Sequence, residues 1–460
     1  MKLFSSISTR LKDFTPVTEG EVSIYSCGPT VYNDPHIGNL SAFIYADVIR
    51  RSFAANGYTT RHVMNITDVE DKIIRDSKGL DDDPKKALTQ FTQKYTDVFL
   101  RDLRLTGNDT DAIQIISAVE SIPDMVDMIQ LLLDKNIAYI ADDGVYFSLG
   151  SYQALGNTYG LLQSVEVTKA QARITNDEYS KDVAGDFALW KKQRDGEPSW
   201  PADFTDKGAQ ISMPGRPGWH IECSAMSEKA LGVPFDIHTG GIDLKFPHHE
   251  NEIAQTRGAH DAKLTNHFMH TNHILVDGRK MSKSAGNFFT LRDVEDKHFS
   301  PVAFRLLVLE SHYRKENNFS WDILTAAHNR LLHWQAAADR RWQLPAYDDT
   351  SVIKKMADAL ANDINTPKVL VLIDGYFNEV EQRGEAPHKD VLQAIRDYLG
   401  IDLHVSDITD DERALLEQRQ QARADKDWAT SDQLRDDLLA RGISVKDAPT
   451  GQIWSRTHNS

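Results

Sequence analysis

The stretch from Tyr25 to Asn39, YSCGPTVYNDPHIGN, constrains the fold more than any other part of the chain. It follows a strand-like run, Glu21 to Ser26, and leads through a Gly-Pro turn into a run with apolar residues at helical spacing that stops at Gly57. A second strand-like run, YTTRHVMNI, comes next. Because parallel strands are joined by crossover helices, this order predicts a βαβ unit with a parallel sheet. The expected fold is therefore α/β, with a Rossmann-like core that binds ligands at the carboxyl ends of its strands.

The remaining patterns divide the 460 residues into further parts, since the chain is too long for one core. The first half of the parallel core is expected at 1–112 and its second half at 206–275, split by an insertion of short strands at 113–205. A region that contains the loop RKMSKSAGN follows at 276–330, then an α-helical bundle at 331–403 and a small α+β module at 404–460.

Composition narrows the class of protein. The chain has 26% charged residues and a net charge of −16, which argues against broad nucleic-acid binding but leaves room for a local basic groove. No apolar run approaches the roughly 20 residues of a membrane helix, and the N-terminus lacks the apolar core of a signal peptide. These patterns predict a cytoplasmic protein without a membrane partner.

Two cysteines, Cys27 and Cys223, are the only ones in the chain. A disulfide is unusual in a reducing cytosol, so a buried apolar role, a catalytic thiol and a metal ligand remain open. His248 and Glu252 are one helical turn apart, and with the two thiols they form a ligand set that suits Zn²⁺. Each piece alone more often has a structural explanation, as a solvated helix face or a small buried side chain. The metal interpretation is favoured because both cysteines are expected at strand ends in the two halves of one sheet.

Phosphate chemistry is indicated by two further motifs. His36 precedes a helix start, where free N–H groups favour anions, and Gly38 lets a nucleotide approach the backbone. Lys280 and Lys283 of KMSKS place two ammonium groups on a polar loop that is suited to a pyrophosphate leaving group. Taken singly, the His36 motif is also explained by a polar turn and KMSKS, the more specific of the two, by a solvated basic loop. Together, in this order and on both sides of a split βα core, they favour phosphate chemistry.

The end of the second strand adds a third feature. Thr67 and Asp68 are expected to project from the sheet edge toward the Cys27 loop. A capped helix start at NITDVEDK explains the same residues equally well.

These motifs, with RPGWHIECSAM, DIHTGGIDLKFPHHENEIAQ and KDWATSDQLRDDL, resemble the class I aminoacyl-tRNA synthetases and, among them, the cysteinyl-tRNA synthetase family over nearly the whole chain. The resemblance implies ATP-dependent activation of L-cysteine to cysteinyl-adenylate and its transfer to the 3′-terminal adenosine of tRNA(Cys). It also implies one Zn²⁺ per chain that binds the substrate thiolate, Mg²⁺ with ATP, and a monomer.

The resemblance assigns site residues by position. The implied zinc ligands are Cys27, Cys223, His248 and Glu252, and the amino-acid pocket is formed by Gly28, Thr67, Trp219, His238 and Asp243. ATP is expected at His36, Gly38, Asn39, Gly240, Gly241 and Lys283, with His36, Lys280 and Lys283 serving the adenylate step. Region 276–330 would contact the tRNA stem, and Arg423, Trp428, Asp432 and Asp447 of module 404–460 would read the anticodon.

One departure from the family pattern and several alternatives accompany this assignment. The signature reads HIGN, with Asn39 where the motif has a second histidine, and an amide cannot carry a proton charge. We expect a tolerated variant.

Four protein ligands normally close a zinc site, so the substrate thiolate must add as a fifth ligand or Glu252 must loosen. Trp428 could instead fill a two-helix core. The rival functions are a cysteine ligase acting on an amino-sugar in mycothiol synthesis and a non-catalytic protein that binds RNA or zinc.

Overall fold

The computed structural model describes residues 1–163, 185–281, 286–448 and 451–457. The chain folds into two compact units. The first contains Met1–Arg104, Asp109–His273 and Tyr313–Glu316, and the second contains Leu105–Asn108, Ile274–His312 and Asn317–Ser460. Both cysteines therefore belong to the first unit, whereas Lys280 belongs to the second.

A five-stranded parallel sheet forms the centre of the first unit and confirms the expected α/β class. Its strands are β3 Glu21–Ser26, β4 Thr59–Ile66, β5 Ile113–Ser117, β12 Phe235–Gly241 and β13 Thr265–Thr271. They lie in the order β13, β12, β3, β4, β5, and every neighbouring pair is parallel. Since the chain moves outward from β3 on both sides, the switch point of the sheet lies between β3 and β12, where folds of this type bind ligands.

Helices connect the strands of this unit. Within the described residues they are α1 Ile37–Ala55, α2 Asp71–Ser77, α3 Pro84–Leu105, α4 Ile122–Asp134, α5 Leu149–Ala154, α6 Trp219–Leu231 and α7 His248–His260. The predicted stop of the first helix is confirmed: α1 ends at Ala55, and Gly57 has a φ of 87°. The pattern from Ser117 to Lys135 reads as one helix, but α4 begins only at Ile122 because Ser117 ends β5.

The inserted segment builds a separate antiparallel sheet. Its strands are β6 Ala138–Ile140, β7 Gly144–Phe147, β8 Phe187–Lys192 and β11 Gly215–Pro217, in the order β11, β8, β7, β6. Hairpins are formed by β1 Lys2–Ser5 with β2 Arg10–Asp13 and by β9 Asp203–Asp206 with β10 Ala209–Ser212. The expected boundaries 113 and 205 differ from this arrangement, since residues 113–117 complete the central sheet and residues 215–217 still belong to the inserted one.

The second unit is mainly helical. Its helices are α8 Leu291–Asp296, α9 Pro301–Leu309, α10 Trp321–Asp339, α11 Ser351–Ala361, α12 Thr366–Arg383, α13 Lys389–Leu399, α14 Asp410–Ala424 and α15 Trp428–Ala440. A short pair, β14 Ile274–Val276 and β15 Asn317–Phe319, is parallel. The pattern VKDAPTGQIW predicts a hairpin, and β16 Ile443–Ala448 pairs with β17 Gly451–Arg456 in the antiparallel direction. Among the described residues, no helix is long and apolar enough to cross a bilayer.

Candidate metal centre and active site

The loop that follows β3 is fixed to both neighbouring strands. The Cys27 N–H donates to the carbonyl of Thr239 on β12 (3.1 Å), and the Gly28 N–H donates to the side chain of Asn65 on β4 (2.8 Å). A Cβ atom at Gly28 would lie 1.6 Å from the Asn65 carbonyl oxygen, so any larger residue would displace the loop. These contacts hold the Cys27 thiol at the switch point of the sheet.

The four implied metal ligands converge beside this loop. One donor atom from each of Cys27, Cys223, His248 and Glu252 lies within 4.8 Å of the others, and all four residues are buried. The two sulfur atoms are 3.6 Å apart. Two thiolates, each about 2.3 Å from a tetrahedral zinc ion, would be about 3.8 Å apart. The donor set and its spacing therefore fit Zn²⁺.

Cys223 reaches this cluster from an element that the sequence pattern did not indicate. We expected it at a strand end of the central sheet, but it lies inside helix α6, Trp219–Leu231, which follows the three-residue strand β11 of the inserted sheet. The expectation was wrong because β11 ends at Pro217, and the helix begins at Trp219 directly after its N-cap, Gly218. The thiol still meets Cys27 because α6 packs against α7 and the central sheet.

Burial favours the neutral forms of the two thiols and the imidazole in this cluster. Burial raises the pKa of Cys27 well above its usual value, and the hydrogen bond to Cys223 raises it further. Burial also raises the pKa of Cys223. Burial lowers the pKa of His248 to about 3, which leaves the imidazole in the neutral form that binds metals. The raised pKa values keep both thiols protonated at neutral pH, so a divalent cation that bound here would have to displace their protons.

A shell of histidines surrounds the four ligands. His238 Nε2 is 2.7 Å from Glu252 Oε2, His220 Nδ1 is 2.9 Å from His248 Nδ1, and His249 Nε2 is 3.3 Å from the Cys27 sulfur. Cys27, His238, His249 and Glu252 form a second group with suitable spacing. We favour the first group because it brings both thiols to one ion.

Three of the histidines around the cluster were missed by the sequence reasoning. His220 and His249 are adjacent to implied site residues in WHIEC and PHHEN, and that adjacency was the available signal. His270 Nε2 is 2.8 Å from His249 Nδ1. Because His270 lies on β13, the three missed histidines come from three elements, α6, α7 and β13. Hydrogen-bonded partners of this kind orient metal ligands.

The residues implied for the amino-acid pocket border the same cluster. The Trp219 ring stacks on His248 with ring centres 4.4 Å apart. The Thr67 hydroxyl donates to Glu222 (3.0 Å), and its amide donates to the carbonyl of Pro29 in the Cys27 loop (3.0 Å). Asp243 lies in a short 3-10 helix, Ile242–Lys245, directly after β12. Gly28, Thr67, Trp219 and His238 thus lie around the four implied metal ligands.

Asp68 does not face the Cys27 loop, so that expectation is corrected. Its carboxylate accepts hydrogen bonds from the Ser117 hydroxyl (2.5 Å) and the Val119 N–H (2.9 Å). It therefore caps the turn after β5. The capped helix start nearby belongs to Glu70, whose side chain accepts from the Lys72 N–H.

Five of the residues implied for ATP, all but Lys283, lie at two backbone turns: His36, Gly38 and Asn39 at the start of α1, and Gly240 and Gly241 at the end of β12. His36 caps helix α1: its Nδ1 accepts from the Asn39 N–H (3.1 Å), while the Asn39 side chain accepts from the His36 N–H (3.3 Å). Burial lowers the pKa of His36, and the nearby Asp243 carboxylate partly opposes the shift. A Cβ atom at Gly240 would meet the His249 ring at 2.8 Å, and one at Gly241 would meet the Asp243 carboxylate at 2.5 Å. A side chain at position 240 would therefore displace the buried His249 ring, whereas one at position 241 would require only that the Asp243 carboxylate move. Gly38 lies within the capped turn, between His36 and Asn39.

Comparison with known proteins identifies the family. Residues 13–329 match the family described as tRNA synthetases class I (C) catalytic domain, and residues 405–454 match the Cysteinyl-tRNA ligase anticodon binding domain. The cysteine–tRNA ligase of Leptospira interrogans serogroup Icterohaemorrhagiae serovar copenhageni is 40% identical over 99% of both chains. The chain belongs to the cysteine–tRNA ligase family. As a member of this family it is a ligase that forms aminoacyl-tRNA.

Other relatives agree with this family and with its fold. The cysteine–tRNA ligase of Brachyspira hyodysenteriae is 36% identical over 98% of both chains. The Mycobacterium tuberculosis methionyl-tRNA synthetase in complex with methionyl-adenylate has a TM-score of 0.54 at 12% identity, covering 83% of this chain and 88% of that one. The Agrobacterium radiobacter LeuRS–tRNA complex has a TM-score of 0.53 at 12% identity, covering 85% and 83%. At this identity the two structures show a shared fold alone.

Lys280, one of the two implied lysines of this ligase, belongs to the second unit. Lys280 is exposed, and its carbonyl accepts a hydrogen bond from the Asn287 side chain (3.0 Å). Lys283 lies outside the described residues. Both roles therefore stay predictions.

The four implied anticodon residues share one surface region of the ligase's C-terminal module. Trp428 is 56% exposed at the start of α15, and the Arg423 guanidinium lies 5.5 Å from the centre of its ring. Arg423 also pairs with Asp447 at 3.0 Å, and Asp432 pairs with Arg435 at 3.2 Å. The alternative in which Trp428 fills a two-helix core is wrong, because the core of this module consists of Ile408, Leu416, Leu438, Ile443, Val445 and Trp454.

Proposed function

We propose that this ligase activates L-cysteine with ATP to form cysteinyl-adenylate and transfers the cysteine to the 3′-terminal adenosine of tRNA(Cys). One observation carries the proposal: two thiols, an imidazole and a carboxylate are buried within 4.8 Å of one another at the switch point of the sheet. The relatives of the chain are named for ligation of cysteine to tRNA.

Cys27, Cys223, His248 and Glu252 would hold the zinc ion. Bound there, zinc would bind a thiolate far better than a hydroxyl group, which distinguishes cysteine from serine without a separate editing step. His238 holds one Glu252 oxygen at 2.7 Å, so the carboxylate keeps an anchor if it withdraws from the ion to admit the substrate sulfur. The Trp219 ring covers His248 and limits the space beside it.

The adenylate step would take place beside this pocket, at the helix start that His36 caps. The cysteine carboxylate would attack the α-phosphate of ATP, and pyrophosphate would leave with Mg²⁺. Gly240 and Gly241 allow the nucleotide to approach the backbone, and Lys280 and Lys283 would neutralise the charge that develops on the phosphates. The contribution of the protein is positioning and charge stabilisation.

The C-terminal module would read the anticodon. Trp428 offers an exposed ring for stacking on an unpaired base, and Arg423, Asp432 and Asp447 offer charged groups to base edges. Since Arg423 and Asp447 pair with each other, a base would have to replace this contact with hydrogen bonds of its own.

Cysteine-dependent exchange between ATP and pyrophosphate tests the proposal. We expect exchange with cysteine and little with serine, loss of exchange when a chelator removes the metal, and charging of tRNA(Cys). Exchange that survives complete metal removal, or that accepts serine equally, would contradict the role of zinc. Normal exchange without tRNA charging would favour the amino-sugar ligase.

Two substitutions separate the adjoining sites. Cys27→Ser removes a metal ligand, so we expect weaker cysteine binding with ATP binding little changed. His36→Ala removes the cap of α1 at the phosphate site, so we expect slower adenylate formation with cysteine binding little changed. Equal effects of both variants on both substrates would refute this division.

A further inference from the structure

A cavity of about 440 Å³ lies in the first unit, against a different face of α7 from the one that carries His248 and Glu252. Ile253 and Arg257 of α7 line one wall. The other walls come from the β1–β2 hairpin, the loop 156–161 and the segment 262–268. None of the implied catalytic, metal-binding or tRNA-binding residues lines it. The cavity is thus separate from the active site.

The loop that forms one wall is firmly held. The Glu250 carboxylate accepts hydrogen bonds from the N–H groups of Gly160, Leu161 and Leu162 at 2.7, 2.9 and 2.8 Å. The Tyr159 hydroxyl donates to the Asn251 side chain at 2.6 Å. Because Glu250 and Asn251 belong to α7, the helix fixes the loop opposite it. The cavity is therefore formed before any ligand arrives, as in most small-molecule sites.

The charge of the lining contrasts with that of the whole chain. Lys12, Arg257 and Lys263 line the cavity, whereas none of its described lining residues is acidic, in a chain of net charge −16. Arg257 interacts with Asp261, at 3.4 Å. Neither Lys12 nor Lys263 forms an ion pair with any described residue, so both ammonium groups can receive an anion.

The rest of the lining is largely apolar. Ile7 and Leu161 are 39% and 41% exposed, although both side chains are large and apolar. Leu264 and Phe268 lie deeper and are buried. Exposed apolar side chains that face a cavity are typical of ligand sites, whose volumes are roughly 300–1,000 Å³. A ligand with an apolar body would cover them.

We propose that this cavity is a second small-molecule site that binds an amphiphilic monoanion, with its charged group near Lys12 and Lys263 and its apolar body against Leu264 and Phe268. This inference goes beyond the proposed function, since it concerns residues outside the synthetase site. A medium-chain carboxylate is the simplest molecule of this class.

Titration calorimetry of the full chain with octanoate tests the proposal, with 1-octanol and octylammonium as neutral and cationic probes. We expect saturable binding of one octanoate per chain, with a Kd below about 1 mM, and much weaker binding of the other two probes. Lys12→Ala and Lys263→Ala should each weaken octanoate binding about tenfold, the size of a lost charge-assisted contact. Lys86→Ala is the matched control, because Lys86 is exposed but does not line the cavity.

A cavity-filling variant provides an independent arm. Ala262→Phe should abolish octanoate binding, whereas Ala154→Phe, at an exposed position outside the lining, should not. Thermal unfolding of each variant checks that it is folded. Absence of octanoate binding, equal affinity for octanol, or affinity unchanged by Lys12→Ala, Lys263→Ala and Ala262→Phe would overturn the proposal. None of these measurements depends on cysteine activation. Failure of the second-site proposal would therefore be distinguishable from failure of the proposed function.

Discussion

The hydrogen bond between His238 and Glu252 provides a direct test of the metal centre. Both side chains are fully buried, and His238 Nε2 lies 2.7 Å from Glu252 Oε2. The variant His238→Ala removes this partner and leaves the other oxygen, Oε1, with His248 at 3.1 Å. In this variant the carboxylate of Glu252, a proposed metal ligand, would lose the partner of Oε2 and keep His248 at Oε1.

The size of the effect follows from this geometry. Loss of a hydrogen-bonded partner of a metal ligand typically lowers metal affinity about 10–100-fold, or about 1.4–2.7 kcal/mol. We expect the Kd for Zn²⁺ to rise by this factor, and cysteine-dependent pyrophosphate exchange to fall at limiting zinc and recover at saturating zinc. The variant His238→Gln keeps a hydrogen-bond donor, so it should fall between wild type and His238→Ala.

Competition with a chromophoric chelator measures the zinc affinity, and pyrophosphate exchange measures the activity. His267→Gln is a suitable control, because His267 is a buried histidine on β13 that packs against Phe14 instead of Glu252. If His238→Ala left zinc affinity unchanged and raised only the KM for cysteine, His238 would contact the substrate, and the reasoning about Glu252 would be refuted.

Three further predictions concern other parts of the chain. Gly28→Ala should lower stability by about 1–3 kcal/mol in denaturant unfolding, because its Cβ would overlap the Asn65 carbonyl oxygen; an unchanged midpoint would contradict this. Burial lowers the pKa of His62 to about 3, so the unfolded chain binds one more proton than the folded one between about pH 3 and 6.5. The free energy of unfolding should therefore fall by about 1.4 kcal/mol for each unit that pH drops in this window, and His62→Gln should lack this part of the slope. Trp428→Ala should weaken tRNA(Cys) binding by about 1–3 kcal/mol without changing pyrophosphate exchange, whereas Trp342→Ala, at a 40% exposed position outside the module, should change neither.

The central sheet could be predicted because its signals are local. The apolar spacing after Asn39 and the glycine at 57 define α1, and the flanking β-branched runs define β3 and β4. By contrast, β5 was assigned to the insertion, because five residues between two helical patterns do not reveal which strand they pair with. Its pairing with β4 depends on tertiary contacts.

The site could be predicted only in part for the same reason. The resemblance to the family placed Cys27, Cys223, His248 and Glu252 together, whereas periodicity alone left each of them with a structural alternative. The helical position of Cys223 and the turn-capping role of Asp68 depend on partners far along the chain, such as Ser117 for Asp68. Spacing within one segment carries no information about such partners.

The reciprocal cap at the start of α1 bears on how this signature varies among relatives. Asn39 uses its side-chain oxygen to accept from the His36 N–H, so the fourth letter of HIGN has a folding role in addition to any role toward phosphate. A motif search scores that letter as a mismatch. Evolutionary drift at position 39 would then be limited first by the need for a side-chain acceptor that closes the cap, and Asp, Glu or Gln would meet this need.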